Sequence, residues 1–165
     1  MRIENAKPSE IHQVALAMRH RDFVEFSALS SIGDRAELAS SLVERYGGRP
    51  QRDVLTVFWD GRPTCIGGAI ETRPNVVTLL FFATDNFARV ALPLARFIRR
   101  ELFPRLEAVC VHRFEAVTMW DYADSRKWLE VIGLKQETGP LLNYGRAGET
   151  FVQYAKVIRA GQAGA

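Results

Sequence analysis

The sequence predicts one mixed α/β layer structure. Three observations carry the prediction. Apolar residues recur at helical spacing early in the chain, where Ile11, Val14, Ala15 and Met18 fall on one face. After Gly47-Gly48 the pattern changes to short apolar runs separated by turn residues. Strand-like and helix-like stretches then alternate, with no internal repeat and no linker dividing the chain. The predicted order is strand, helices, three strands, helix, strand, helix, two strands. It forms a single domain over residues 1–158, followed by a flexible tail over residues 159–165.

Each element has a local reason. "MRIENA" reads as a short strand. In "KPSEIHQVALAMR", Pro8 suits a first helical turn and Glu10 is favoured by the positive helix N-terminus. "RDFVEFSAL" gives a second helix and "DRAELASSLVERY" a third, with Asp34 as N-cap and Gly47-Gly48 as its stop. "DVLTVFWDGRPTCIGGAIE" reads as strand, Asp60-Gly61 turn and strand, since such a pair tolerates the positive φ of a tight hairpin. Pro74-Asn75 turns the chain into "VVTLLFFA", an apolar strand buried on both faces.

Pro93 is expected in the first turn of a helix starting near residue 92, which leaves 84–92 as a loop. Inside a helix begun at Asn86 it would cost ~3 kcal/mol. Pro104 predicts a break and a short helical restart, "PRLEAVCVH". "FEAVTMW" is a strand. "DYADSRKWLEVIGL" is a helix with Asp121 as N-cap, Asp124 in its first turn and Gly133 as left-handed C-cap. "LKQET" and "TFVQYAKVI" supply the last two strands.

Composition bounds the function. With 47% hydrophobic and 25% charged residues the chain is globular, not disordered. The net charge of +3 is spread among acids and gives no specific nucleic-acid signal. No apolar run approaches the ~20 residues of a membrane span. "MRIENAKPSE" turns polar too early for a signal peptide, which points to the cytoplasm. Arg96, Arg99 and Arg100 share a helix face and read as solvated. Cys65 and Cys110 read as buried free thiols, and His12, His20 and His112 have no ligating partners in the pattern, so no metal site is indicated.

The element order, together with "DYADSRKWLEVIGL" and "ATDNFARVALPLARF", resembles the GNAT family of N-acetyltransferases. The first stretch ends in Gly133-Leu134 where the family has Gly-Phe, and the second occupies the place of its pyrophosphate loop. A narrower likeness is to small GNAT-like acetyltransferase or internal virion proteins of tailed phages. It rests on the spacing of Arg19, Asp22 and Glu25, on "FFATD" and on "DSRKWLEVIGL". The resemblance implies a mixed, mostly antiparallel central sheet flanked by helices. It further implies that Phe82 and Ala83 pair with the pantetheine of acetyl-CoA and that Arg89 contacts phosphate. Arg19, Asp22 and Glu25 would border the acceptor or partner surface. Glu71 stands where the fold often places a general base. Tyr122 is a displaced candidate acid, because Leu129 fills the position where the family usually carries a tyrosine.

The stretch also departs from the family. It contains no glycine, and aligning Arg89 with the family's arginine puts Leu92 and Leu94 at the positions of small residues. Leucines there would fill the anion's volume, and Pro93 removes one amide donor. Thr84, Asp85 and Asn86 are capping residues expected to satisfy the helix amides themselves. The expectation is therefore a GNAT-fold accessory protein with a degenerate acyl-CoA site and no cofactor. It would act through a protein partner, a phage structural protein or a host target, in virion assembly or as an internal virion component. That places it in the host cytoplasm or in the virion. The alternative is an acetyl-CoA-dependent N-acetyltransferase with an atypical pyrophosphate loop.

Overall fold

The computed structural model describes residues 1–48 and 54–158. Strand β1 (Arg2–Asn5) leads into helices α1 (Pro8–Leu16), α2 (His20–Ala28) and α3 (Arg35–Tyr46). Strands β2 (Val54–Trp59), β3 (Arg62–Arg73) and β4 (Val76–Ala83) form a meander, followed by a 3-10 turn over Asp85–Arg89 and helix α4 (Ala91–Phe97). After a π-helical turn come α5 (Phe103–Glu107), β5 (Arg113–Met119), α6 (Ala123–Ile132), β6 (Lys135–Gln136) and β7 (Phe151–Val157). The expected start of the second strand at Asp53 and the expected tail lie outside the described residues.

The strands make one sheet in the order β1-β2-β3-β4-β5-β7-β6. All neighbours are antiparallel except β4 and β5, which run parallel. The mixed, mostly antiparallel sheet flanked by helices is thus the architecture expected from the sequence.

Alternation along β3 and β4 builds two cores, one on each face of the sheet. Ile66, Ile70, Leu80 and Phe82 pack against Ile11, Val14, Leu38 and Leu42 of α1 and α3. On the other face, Ala69, Val77 and Phe114 meet Phe103, Leu129 and Ile132 of α5 and α6. "VVTLLFFA" is apolar but for Thr78 because it is covered from both sides.

Several local signals act as read. The Asp34 carboxylate accepts from the amides of Ala36 and Glu37, both at 2.9 Å. Asp60 and Gly61 both take positive φ, and Gly133 ends α6 at φ 105°. Pro93 falls in the first turn of α4.

Three expectations are corrected. Pro104 does not break the helix, because the chain widens into a π turn over Ile98–Leu102 and continues through α5. Such a turn absorbs the missing N–H and the clash with the preceding carbonyl. Asp121 does not cap α6; the N-cap position is Tyr122, and Asp121 pairs with Arg21 at 2.7 Å. Cys110 is exposed at φ 72° in the turn after α5, whereas Cys65 is buried as expected, with burial pushing its thiol up to about 12.

Candidate active site

The site begins where the sheet opens. β4 and β5 pair only over Val76–Thr78 and Arg113–Glu115. Beyond that point β4 continues beside β3 alone and β5 beside β7 alone. The two strands diverge, and a cavity of about 280 Å³ lies in the gap. It joins the α2 side of the sheet, at Phe26 and Leu80, to the α4 and α6 side, at Phe97, Ile98 and Trp128.

Strand alternation decides which backbone groups face this gap. The Thr84 amide donates to the Thr64 carbonyl at 2.9 Å, so Thr84, Phe82 and Leu80 direct their backbone groups to β3. Leu79, Phe81 and Ala83 direct theirs to the open side. At Ala83 both groups are already engaged, with its amide donating to Asp22 Oδ2 at 2.9 Å and its carbonyl accepting from the Arg19 amide at 2.8 Å. The edge open to the cavity therefore belongs to Leu79 and Phe81. Phe82 is a buried core residue whose ring packs edge-on against Phe26 at 5.5 Å.

The Arg-x-x-Asp-x-x-Glu run sits at the junction of α1 and α2, against this opening. Arg19 grips Asp22 with two bonds of 3.0 Å, from Nε and Nη2. The hydroxyl of Tyr122 donates to Asp22 Oδ1 at 2.8 Å. Asp22 is thus buried but fully compensated, holding α2, the end of β4 and the start of α6 together. Burial and the adjacent Asp22 carboxylate push the Tyr122 phenol well above its ordinary value, so its proton stays on oxygen. The structure brings Arg19, Asp22 and Tyr122 into one network, a contact across a hundred residues that spacing along the chain does not reveal.

Glu25 lies one turn further along α2. Its Oε2 accepts from Thr118 Oγ1 at 2.5 Å and from the Met119 amide at 2.7 Å. Thr118 Oγ1 also lies 2.8 Å from Ser125 Oγ at the start of α6. Oε1 accepts no hydrogen bond among the described residues, and Glu25 lines the cavity. Burial raises its carboxyl from the usual range to about 7, against the opposing pull of those two hydrogen bonds. A carboxylate with one fixed and one free oxygen, titrating near neutrality at a cavity wall, is suited to accept a proton.

The expected phosphate region differs from its reading. Leu92 is 60% exposed and points away from the fold, while Leu94 is 5% exposed and packs with Val57, Cys65, Ala83 and Val90. Neither N-cap residue, Thr84 of the 3-10 turn or Val90 of α4, makes a side-chain capping bond; the Thr84 hydroxyl instead donates to the Thr64 carbonyl at 3.1 Å. Arg89 is exposed at the end of the 3-10 turn. Arg96, Arg99 and Arg100 are exposed, as expected of a solvated face.

Glu71 sits elsewhere. Its carboxylate accepts from the Asn75 amide at 2.9 Å and closes the β3–β4 hairpin, at the end of β4 opposite Ala83. Leu129 is a buried core residue. Thr118 and Ser125, which orient Glu25, were not singled out by the sequence. A small residue within an otherwise bulky helix face was the only hint of Ser125. Among the described residues no group of three or more His, Cys, Asp or Glu is placed to hold a metal ion, and no helix is long and apolar enough to cross a membrane.

No protein-family model matches the sequence, and no curated protein matches it either. Solved structures do match. The ribosomal-protein-alanine N-acetyltransferase from Brucella melitensis is 20% identical, with a TM-score of 0.66 over 96% of this chain and 100% of that one. The ribosomal-protein-S18-alanine N-acetyltransferase from Escherichia coli is 14% identical, with a TM-score of 0.65 over 99% of this chain and 98% of that one. A microcin C7 self-immunity acetyltransferase, solved with acetyl-CoA and AMP, is 13% identical, with a TM-score of 0.65 over 92% of this chain and 87% of that one. These likenesses, with the sheet order and the opening between β4 and β5, show that the chain has the GNAT acetyltransferase fold.

Proposed function

We propose that the protein is an acyl-CoA-dependent N-acyltransferase that uses the opening between β4 and β5. The observation that carries this reading is the cavity itself, which joins the free strand edge at Leu79 and Phe81 to the carboxylate of Glu25. Bound acyl-CoA supplies the acyl group as a thioester. The residues present fit such a ligand. The amides and carbonyls of Leu79 and Phe81 offer a pantetheine arm the bonds of an added strand, in place of the Phe82 and Ala83 pairing that the family resemblance implies. Leu94 is turned into the core, and Arg89 offers a cation beside the start of α4.

The acceptor amine enters from the α2 side. Glu25 takes its proton at Oε1, since only the neutral amine is nucleophilic, and Thr118 and the Met119 amide hold the carboxylate in place. Glu25 fills this role rather than Glu71. Tyr122 and Asp22 fix the wall on which Glu25 stands.

Release of free thiol from acetyl-CoA in the presence of a primary amine tests this reading. The wild-type protein is expected to turn over, and Glu25→Gln to lose about a hundredfold or more. No amine-dependent release by the folded wild-type protein would overturn it. A binding-only role is the second reading. One observation favours it: Asp22 and Arg19 already occupy the backbone groups of Ala83 at the end of the strand edge. On that reading the protein acts through a protein partner, in the virion role that the phage resemblance implies.

A further inference from the structure

The acceptor half of the cavity has an unusual charge pattern for a site that would hold a free amino acid by its carboxylate. Its wall is apolar, from Phe26, Leu29, Ile70 and Leu80. Its ionisable groups are carboxylates, Asp22 and Glu25, with the phenol of Tyr46 at one side. Among the described residues lining the cavity there is no Arg, Lys or His. The two nearest cations on α2 and its junction are already committed. Arg19 is forked onto Asp22, and Arg21 pairs with Asp121 at 2.7 Å while lying 5.1 Å from the Tyr122 ring. Asp22 is neutralised by its partners, which leaves Glu25, among the described residues lining the cavity, as the carboxyl with an oxygen turned to the space and no ion-pair partner.

A ligand carboxylate placed here would be stripped of water, meet no cation and confront Glu25. An ammonium meets the reverse situation, with a charge partner at Glu25 Oε1 and apolar walls for the rest of the molecule. Leu29, at 44% exposure, forms the rim on the α2 side and extends the apolar surface outward.

We propose that the acceptor is a primary amine carrying an apolar alkyl or aryl body and no acid group, held with its nitrogen at Glu25 and its body against Phe26, Leu29 and Leu80. The inference rests on the acyltransferase reading for its chemistry, but the binding preference follows from the cavity alone. The acceptor class is thereby distinct from α-amino acids.

Amide-resolved NMR titration of the full chain tests it with three ligands of matched body: 2-phenylethylamine, phenylalanine and 3-phenylpropionate. The amine is expected to shift resonances around Glu25, Leu29 and Leu80 and to bind about tenfold or more tighter than phenylalanine, with 3-phenylpropionate leaving them unmoved. Glu25→Gln is expected to abolish the preference for the amine. Equal binding of phenylalanine and the amine, amine shifts lying away from the cavity, or no amine binding at all would overturn the inference. The wild-type comparison does not depend on any variant folding. Acetyl-CoA is titrated separately: amine binding without acetyl-CoA binding sinks the acyltransferase reading and spares the amine site. Acetyl-CoA binding without amine preference does the reverse.

Discussion

Glu25 owes its behaviour to an asymmetry between its two oxygens. Oε2 is fixed by Thr118 and the Met119 amide on β5, and Oε1 is left to the cavity. The charged groups around it are Asp22 and Arg21 on its own helix, and Tyr122 faces it from the start of α6. Burial dominates, so the carboxyl titrates at about 7. Two predictions follow with opposite signs. Amine transfer should rise with pH through about 7, because only the carboxylate accepts a proton, and Glu25→Gln should flatten that limb. Stability should move the other way. A carboxyl whose folded pKa is raised contributes stability below its unfolded value, lost as pH rises through the folded one. Between about pH 4.5 and 7 the wild-type protein should therefore lose stability relative to Glu25→Gln, as read by chemical denaturation. Tyr122→Phe isolates a neighbour with a different role. Removing its bond to Asp22 should cost about 1–2 kcal/mol of stability while retaining turnover, because that hydroxyl is committed to Asp22. Collapse of turnover in a folded Tyr122→Phe protein would make the phenol a participant.

At the level of elements, the helix after β4 shows what local pattern can and cannot convey. Pro93 marks the first turn, where a missing N–H leaves no helical hydrogen bond unmade. Pro104 was misread because a π turn, which leaves no mark in composition, absorbs it. Leu92 and Leu94 looked alike in the sequence, yet two positions along a helix turn the side chain by about half a circle. One faces solvent and the other the core between β2, β3 and β4. Leu94→Ala should therefore cost about 2–4 kcal/mol and Leu92→Ala less than about 0.5, measured by urea denaturation. Comparable losses at both positions would contradict this helix phase. Arg89→Ala should weaken acetyl-CoA binding without lowering stability, as an exposed cation outside the core. The Asp121 misreading has a similar origin: both Asp121 and Tyr122 precede the helix, and the tertiary bonds from Arg21 and to Asp22 decide which one takes the N-cap position.

Over the whole molecule, the sheet was legible because periodicity is a direct imprint of burial. The helical spacing of Ile11, Val14, Ala15 and Met18, a nearly all-apolar β4 and the Asp60-Gly61 turn each pointed to the same layered arrangement. The site was legible only in pieces. Arg19, Asp22 and Glu25 stood out as a run on one helix, and Tyr122 as an aromatic at a helix start. Their joining across the opening depends on β5 carrying Thr118 to Glu25 and on the α1–α2 junction reaching Ala83. Neither relation has a local signature. The opening has no signature in the glycine-free stretch, because the cavity is made by two strands parting beyond Thr78 and Glu115. The account stands on that cavity receiving acyl-CoA. Calorimetric titration of the full chain with acetyl-CoA, against free CoA as comparison, tests it most directly. Binding at about micromolar strength, roughly −8 kcal/mol, is the predicted result. Absence of heat at several temperatures and in several buffers, with the protein folded, would contradict it.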